Sequence, residues 1–431
     1  MDLLCNAYSN ASEDQDDEDP PNRVIQPSKR QKSDSSVPYP IPNPLYRPIH
    51  HPNPQTEALV PGRYISKRER ALMGSNPVTE DPNPPPTVPS SPVLGNISDS
   101  DLPHHILLSL RRQMKGCARR ERIPDKLSLC LNGHKKPVNA IQWSQNHAHL
   151  LASAGMDSVC IWNVWSKGNK KARVLSYHNA AVKDVRWSQK GQFVLSCGFD
   201  CSSRLVDIEK GVETQVFIED QAVTTIKFHP ENSNIFLSGG QKGGLKLWDI
   251  RAGKTVHEYI RHLGPILDVE FMNDAKRFVS SSDVSSSNIS ENSLIVWDVS
   301  REVPLSNQVY AEAYTCPCVR RHPSEPIFVA QSNGNYIAIF STEHPFRLNK
   351  YQRFESHEVL GFPIRCEFSL DGEKLASGSS DGSMYFYDVR SSSLIMKINA
   401  HNQACIDVAF HPIMPNVIAS CSWGGEISVF E

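Results

Sequence analysis

The chain has 431 residues and a near-even charge balance, 45 Lys and Arg against 47 Asp and Glu, which argues against a general nucleic-acid coat built on many phosphate contacts. Eleven cysteines, an odd number scattered along the sequence, suit a reducing compartment better than a disulfide framework, and Cys316-Pro317-Cys318 lacks the Cys or His neighbours a metal site needs. No apolar stretch approaches membrane-spanning length and the first residues do not read as a secretion signal, so an intracellular protein without a membrane partner is expected.

Residues 1–100 hold 18 of the 31 prolines and an acidic run from Glu13 to Asp19. Such a composition buries too little apolar surface to offset chain entropy, so a disordered tail is expected there. Within it, Arg63 to Leu72 mixes charge, an aromatic and helix formers; it reads either as a segment that folds on a partner or as a solvated basic stretch. Lys29-Arg30-Gln31-Lys32 and Lys67-Arg68-Glu69-Arg70 match weak nuclear-import clusters. From 101 to 126 the pattern becomes helical and basic. Asp101 is placed to cap a helix, Pro103 suits its first turn, and Ile106, Leu107, Leu110 and Met114 share one face. Arg111, Arg112, Lys115, Arg119, Arg120 and Arg122 follow. The expectation is a helix packed across the edge of the next domain with its basic end solvated, in preference to the alternative that the segment binds an acidic partner or RNA phosphates.

Residues 127–431 repeat one unit seven times: a His, absent from the third unit and replaced by a start at Cys316 in the weaker fifth, an apolar alternating run, a small-residue turn, then an apolar strand ending in Trp-Asp or a degraded form of it. The units close on Trp162-Asn163, Val206-Asp207, Trp248-Asp249, Trp297-Asp298, Phe340-Ser341, Tyr387-Asp388 and Phe430-Glu431. They are about 42 to 49 residues apart, the period at which each repeat makes one four-stranded blade. The fold class expected is all-β, a seven-bladed propeller. Leu127 to Leu131 alternates apolar and polar residues outside any repeat, while the seventh unit is one strand short; the two should pair and close the ring.

In the first unit His134, Ser153, Asp157 and Trp162 are spaced to meet within one blade, as a hydrogen-bond chain from indole through hydroxyl and imidazole to carboxylate. His178, Ser196 and Asp200 repeat three of these positions, and His357, Ser377, Asp381 and Tyr387 repeat all four with Tyr for Trp. Lys242, Gly334 and Gly424 stand where the Asp belongs in units three, five and seven. Those blades are expected to rely on apolar packing alone, with turns freer to carry function. Gly378-Ser379-Ser380-Asp381-Gly382 matches a hydrolase nucleophile pattern, but at a turn between two blade strands instead of the strand-to-helix turn such a nucleophile needs. With no phosphate-cradling loop, zinc-protease helix or kinase set, the sequence implies no catalytic residue, no metal and no cofactor.

The residue before each turn Asp position should be exposed on one rim: Met156, Phe199, Gln241, Asn333, Ser380 and Trp423. Met156, Phe199 and Trp423 fall in blades 1, 2 and 7, neighbours once the ring closes. An exposed Met, Phe and Trp cluster has the composition of an interface hot spot, with Asn139, Lys183 and Ile406 at its inner side. The competing reading folds Trp423 down over Gly424 and Gly425. The fourth unit carries a longer insertion, Ser285 to Glu291.

The Trp-Asp endings identify residues 127–431 as a member of the WD40 repeat family. Within it, Thr315-Cys316-Pro317, His322-Pro323 with Glu325-Pro326, Gln331 to Tyr336, Lys227-Phe228-His229-Pro230 and Cys421-Ser422-Trp423-Gly424-Gly425 resemble a branch to which a second-step pre-mRNA splicing factor is similar. The resemblance implies a nuclear, spliceosome-associated scaffold whose partners are proteins of that complex. Leu247-Trp248-Asp249-Ile250-Arg251, and its echo Phe386-Tyr387-Asp388-Val389-Arg390, look like the WDxR box of substrate receptors for cullin-4 ubiquitin ligases. On that alternative Trp248, Asp249, Arg251, Asp388 and Arg390 mark the contacts with the ligase adaptor. Both resemblances imply a non-catalytic, monomeric propeller in the nucleus, with cytoplasmic presence also compatible, and leave direct contact with RNA open.

Overall fold

The computed structural model describes residues 91–113, 123–156, 158–284, 293–308 and 314–431. The expectations for residues 1–90, for Met114 to Arg122, for Asp157 and for the insertion Ser285 to Glu291 lie outside the described residues. From 127 onward the chain forms a ring of seven four-stranded antiparallel sheets. Blades 1 to 6 occupy 138–175, 182–218, 223–259, 266–308, 318–354 and 366–399; blade 7 joins 405–430 to Leu127–Asn132.

Burial accounts for the composition of the strands. Innermost strands such as Val138–Trp143 and Cys405–Phe410 are buried along nearly their whole length, so they carry Val, Ile, Ala and Cys on both faces. Outermost strands such as Lys254–Tyr259 and Leu394–Asn399 face water on one side and alternate. A bulge recurs near the start of the innermost strand in blades 1, 2, 3, 4 and 7, for instance between Val182 and Asp184. In three of these blades it turns an Asp toward the next blade. Asp184 accepts the Ile226 N–H at 3.3 Å, Asp268 the Val319 N–H at 3.0 Å, and Asp407 the Ile141 N–H at 3.1 Å. Neighbouring blades are thus joined by a buried carboxylate on a main-chain donor.

The ring closes on Leu127–Asn132, which pairs antiparallel with Glu426–Phe430. Lys126 and Glu431 exchange backbone hydrogen bonds at 3.3 and 2.9 Å, and the Trp165 indole donates to the Glu431 carboxylate at 2.9 Å. Ahead of this strand, residues 91–98 run as a strap over blades 1 and 2. Ser91 donates to Gly211 O at 2.8 Å and Leu94 to Ala172 O at 3.0 Å, while the Asn163 side chain donates to the carbonyls of Asn96 and Ser98. The helix spans His104–Gln113 and buries Ile106 and Leu110, with Leu102 before it, against Trp143, Trp165, Met414 and Val417 at the seam of blades 7 and 1. Asp101 does not cap it. A 3-10 turn over Asp99–Asp101, capped by Ser98, intervenes, and the Asp101 carboxylate accepts the Asn96 amide at 2.9 Å. Among the described residues no helix is long and apolar enough to cross a membrane.

Candidate interaction surface

In blade 1 the Trp162 indole donates to Ser153 Oγ at 2.9 Å, and His134 Nε2 lies 2.8 Å from the same oxygen. In blade 2, where Val206 replaces the Trp, His178 bridges Ser196 at 2.8 Å and both Asp200 oxygens at 3.0 Å. Burial pushes the Asp200 carboxyl up, but His178, Ser202 and the Asn179 N–H together hold it well below the ordinary carboxylate range.

Blade 6 departs from the expected chain. His357 does not reach Ser377: its Nε2 lies 2.6 Å from the amide of Gln331, a blade 5 residue, and the Ser377 hydroxyl donates to the other end of that amide at 3.4 Å. The Tyr387 hydroxyl sits 2.9 Å from His357 Nδ1. Asp381 turns away, accepting Tyr385 OH at 2.9 Å and pairing with Lys397 at 2.7 Å. The longer reach of a hydroxyl on a six-membered ring explains the shift, because Tyr places its polar atom past the point where an indole N–H would meet the serine. Burial lowers the His357 pKa to about 4, so the ring is neutral and can use one nitrogen as donor and the other as acceptor.

The expectation that blades 3 and 7 rest on apolar packing alone is also corrected. In blade 3 the Trp248 indole donates to Ser238 at 3.0 Å, and Ser238 donates to Glu219 at 2.6 Å, a carboxylate at the position His178 holds in blade 2. In blade 7 His401 Nε2 lies 2.9 Å from Ser420 Oγ. Blade 5 puts Ala330 where the serine would stand, and there Phe328 and Phe340 stack at 5.0 Å. In blade 4 Trp297 donates to Ser280 at 2.8 Å while His262 faces solvent.

The turn residues are less open than expected: Gln241 is exposed, whereas Met156, Phe199, Asn333, Ser380 and Trp423 are half-buried. Trp423 packs edge-on against Phe362 at 5.5 Å and touches the core at the seam of blades 7 and 1. Lys183 lies over the Phe199 ring at 5.2 Å, and burial with the nearby Arg365 lowers its pKa to about 8. Two residues assigned to the inner side of the rim are not surface groups. Ile406 is fully buried, and Asn139, 3% exposed, donates to Val182 O across to blade 2. Both lie on innermost strands that the neighbouring blades cover, which the turn-based argument ignored. Phe362 was missed because it lies in a loop between blades that no repeat spacing addresses. The reachable rim is therefore Met156, Phe199 with Lys183 beside it, and Trp423 with Phe362 beside it; Met156, Phe199 and Trp423 stand at equivalent positions of adjoining blades.

The family model described as "WD domain, G-beta repeat" matches residues 125–163, 169–207, 211–249 and 349–388, the segments of blades 1, 2, 3 and 6. WD repeat-containing protein 25 of Mus musculus is 38% identical over 379 residues, covering 85% of this chain and 69% of that protein. The chain belongs to the WD40 repeat family. Pre-mRNA-processing factor 17 of Homo sapiens is 31% identical over 314 residues, covering 72% of this chain and 52% of the relative. The Saccharomyces cerevisiae protein of the same name is 27% identical over 315 residues, with 72% and 67% covered. The chain thus spans about half the length of the human splicing relative.

Asp249 and Asp388 end their third strands opposite Ile235 and Lys374, at the far end from the turns described above. Asp249 accepts the Arg251 backbone N–H at 2.8 Å and pairs with its guanidinium at 3.3 Å, leaving the arginine largely in water. Asp388 is occupied by Ser391 at 2.7 Å, and Arg390, 81% exposed at its side chain, approaches Glu373 at 3.9 Å. The two arginines belong to blades 3 and 6, with blades 4 and 5 between them, so they form two separate local ion pairs.

Proposed function

We propose that this chain is a non-catalytic scaffold of a nuclear, splicing-type protein assembly, holding a partner protein on the rim of blades 7, 1 and 2. The observation that carries the reading is the 31% identity to Pre-mRNA-processing factor 17, which extends over 72% of this chain. The rim gives it a physical site: Met156, Phe199 and Trp423 offer apolar area half-held by the ring, the condition under which an aromatic anchor loses little entropy on binding. Fold alone does not assign function, so the assembly must be identified by its members.

The test is purification of the tagged chain from its native cells with nuclease treatment, followed by mass spectrometry of its companions. Spliceosomal proteins are expected with the wild type and depleted, about tenfold or more, with Trp423→Ala combined with Phe199→Ala. A companion set lacking splicing proteins overturns the assembly; an unchanged set with the double variant overturns the rim. Cullin-4 adaptor lost on Arg251→Ala with Arg390→Ala would instead establish the ligase alternative.

A further inference from the structure

The bulge of the innermost strands leaves one residue outside the ladder in each blade that has it: Asn139, Lys183, Thr224, Leu267 and Ile406. All lie at the channel end nearest the turns; Val182, for instance, pairs with Gly198, next to Phe199. Two of them tie their blade to the following one. Asn139 Nδ2 donates to Val182 O at 2.6 Å, and Thr224 Oγ1 donates to Ile266 O at 2.5 Å. Lys183 makes no such bond, and its ammonium lies instead over the face of Phe199 at 5.2 Å.

The carboxylates nearby are committed to other cations. Asp184, the next residue, is held by Arg186 at 3.2 Å and Arg365 at 2.9 Å, and Arg365 also approaches Asp407 at 3.7 Å. Among the described residues no carboxylate lies within ion-pair distance of Lys183. The groups facing it are Arg365 of blade 6, which repels it, Asp184 on its own strand, and Cys197 on the adjoining strand, whose buried thiol stays neutral. Burial and Arg365 bring its pKa down to about 8, so at pH 7 it is a cation that the ring leaves uncompensated. The ammonium is half-buried beside an aromatic ring, a place that one carboxylate on a side chain can enter. A polynucleotide backbone draws instead on a row of exposed cations, and the turn residues Met156, Phe199, Gln241, Asn333, Ser380 and Trp423 supply none.

We propose that the partner protein held on this rim places one acidic side chain, Asp or Glu, at the channel mouth, its carboxylate meeting Lys183 while an apolar neighbour covers Phe199. The inference rests on the rim reading given above and adds its chemistry. The probe is a fluorophore-labelled peptide, capped at both ends, with one Glu between Leu and Phe, titrated by anisotropy against the full chain at physiological salt beside its Gln counterpart. At pH 7 the Glu peptide is expected to bind about fivefold more tightly, and the preference to disappear on Lys183→Met. It should fade by pH 9, where wild-type Lys183 has lost its proton, and persist there with Lys183→Arg, whose guanidinium stays charged. A lysine whose folded pKa lies below 10.5 opposes folding at pH 7, so Lys183→Met should melt no lower than the wild type. Lys135→Gln with Lys136→Gln, exposed lysines of the loop entering blade 1, should leave the preference in place. Equal binding of the two peptides, both weakened by Trp423→Ala with Phe199→Ala, would overturn the carboxylate and leave the rim standing; equal binding untouched by those substitutions, or no binding, would overturn the proposal and count against the rim as well. A lower melt of Lys183→Met, loss of the preference on the loop variant alone, or displacement of the peptide by a uridine oligonucleotide would each overturn the proposal.

Discussion

His357 and Glu219 hold one role by different chemistry. A buried indole or phenol needs a polar partner, and blade 6 supplies it with a neutral histidine, blade 3 with a carboxylate acting through Ser238. Glu219 also accepts Gln221 Nε2 at 3.3 Å, and burial pushes its pKa above the ordinary value despite those two donors. Glu219→Ala would leave the Ser238 hydroxyl with only the Lys246 carbonyl at 3.5 Å and the Gln221 amide with only the Gly244 carbonyl at 3.0 Å, and we expect it to cost about 1–3 kcal/mol of unfolding free energy. Glu219→Gln, which keeps an acceptor oxygen, should cost about 1 kcal/mol or less, both read from denaturant midpoints. This partner was hidden in the sequence because a Glu at the histidine position breaks the repeat pattern while preserving its hydrogen bond. Gln331 was hidden for another reason: it comes from the adjoining blade, and spacing within one repeat carries no information about contacts between two.

The strap and helix show the same division at the level of elements. The helix was legible because Ile106, Leu107 and Leu110 recur at helical spacing, and the face they define is the one that meets the ring. Its entry was not, since the local competition of Asn96, Ser98 and Asp101 for one another's polar groups depends on a 3-10 turn. The strap was illegible throughout: Ser91, Leu94, Asn96 and Ser98 are held by their backbone atoms, which every residue type possesses. Blade closure, by contrast, was readable from Leu127 to Leu131, whose alternation matches a half-buried strand. Burying Ile106 contributes roughly 1.5–3 kcal/mol, so Ile106→Asp, which also buries a carboxylate, should release the helix. Because Trp143 and Trp165 lie in the same cluster, the expected sign is a red shift of tryptophan emission with the β-sheet circular dichroism retained. Loss of the sheet signal would mean that the ring depends on the helix.

At the scale of the whole ring, the central channel is crossed by charge. Arg365 of blade 6 reaches Asp184 of blade 2 at 2.9 Å and Asp407 of blade 7 at 3.7 Å, Arg186 joins Asp184 at 3.2 Å, and Arg320 pairs with Asp268. Burial alone would raise Asp268, yet Arg320, Arg365, Arg186 and Lys227 hold it well below the ordinary range. Burial wins at two carboxylates, Asp407, which is raised despite Arg365, Arg320 and Arg186, and Glu367. The Glu367 carboxylate accepts the Phe410 N–H at 2.8 Å, but burial and the neighbouring Asp407 raise its pKa from 4.5 to about 7, against the opposing pull of Arg320 and Lys227. Between pH 4.5 and 7 the folded state binds this proton more tightly than the unfolded chain, so the group favours folding at low pH and opposes it increasingly as pH rises. His357 and His411 act in the opposite sense. Burial lowers them from 6.5 to about 4 and about 3, so stability is lost as pH falls below 6.5 and the unfolded chain takes up protons that the ring refuses. The two tendencies oppose each other between pH 6.5 and 4.5. Glu367→Gln keeps an acceptor for Phe410 and removes one of them. At pH 8 it should stabilise the protein by about 1–2 kcal/mol, less than the full shift implies because water reaches part of the side chain. At pH 5 most of the gain should be gone, and the variant should lose stability on acidification more steeply than the wild type. Parallel urea titrations at the two pH values decide the matter: an equal gain at both would mean that Glu367 is ionised throughout and that the channel, not its protonation, sets the cost.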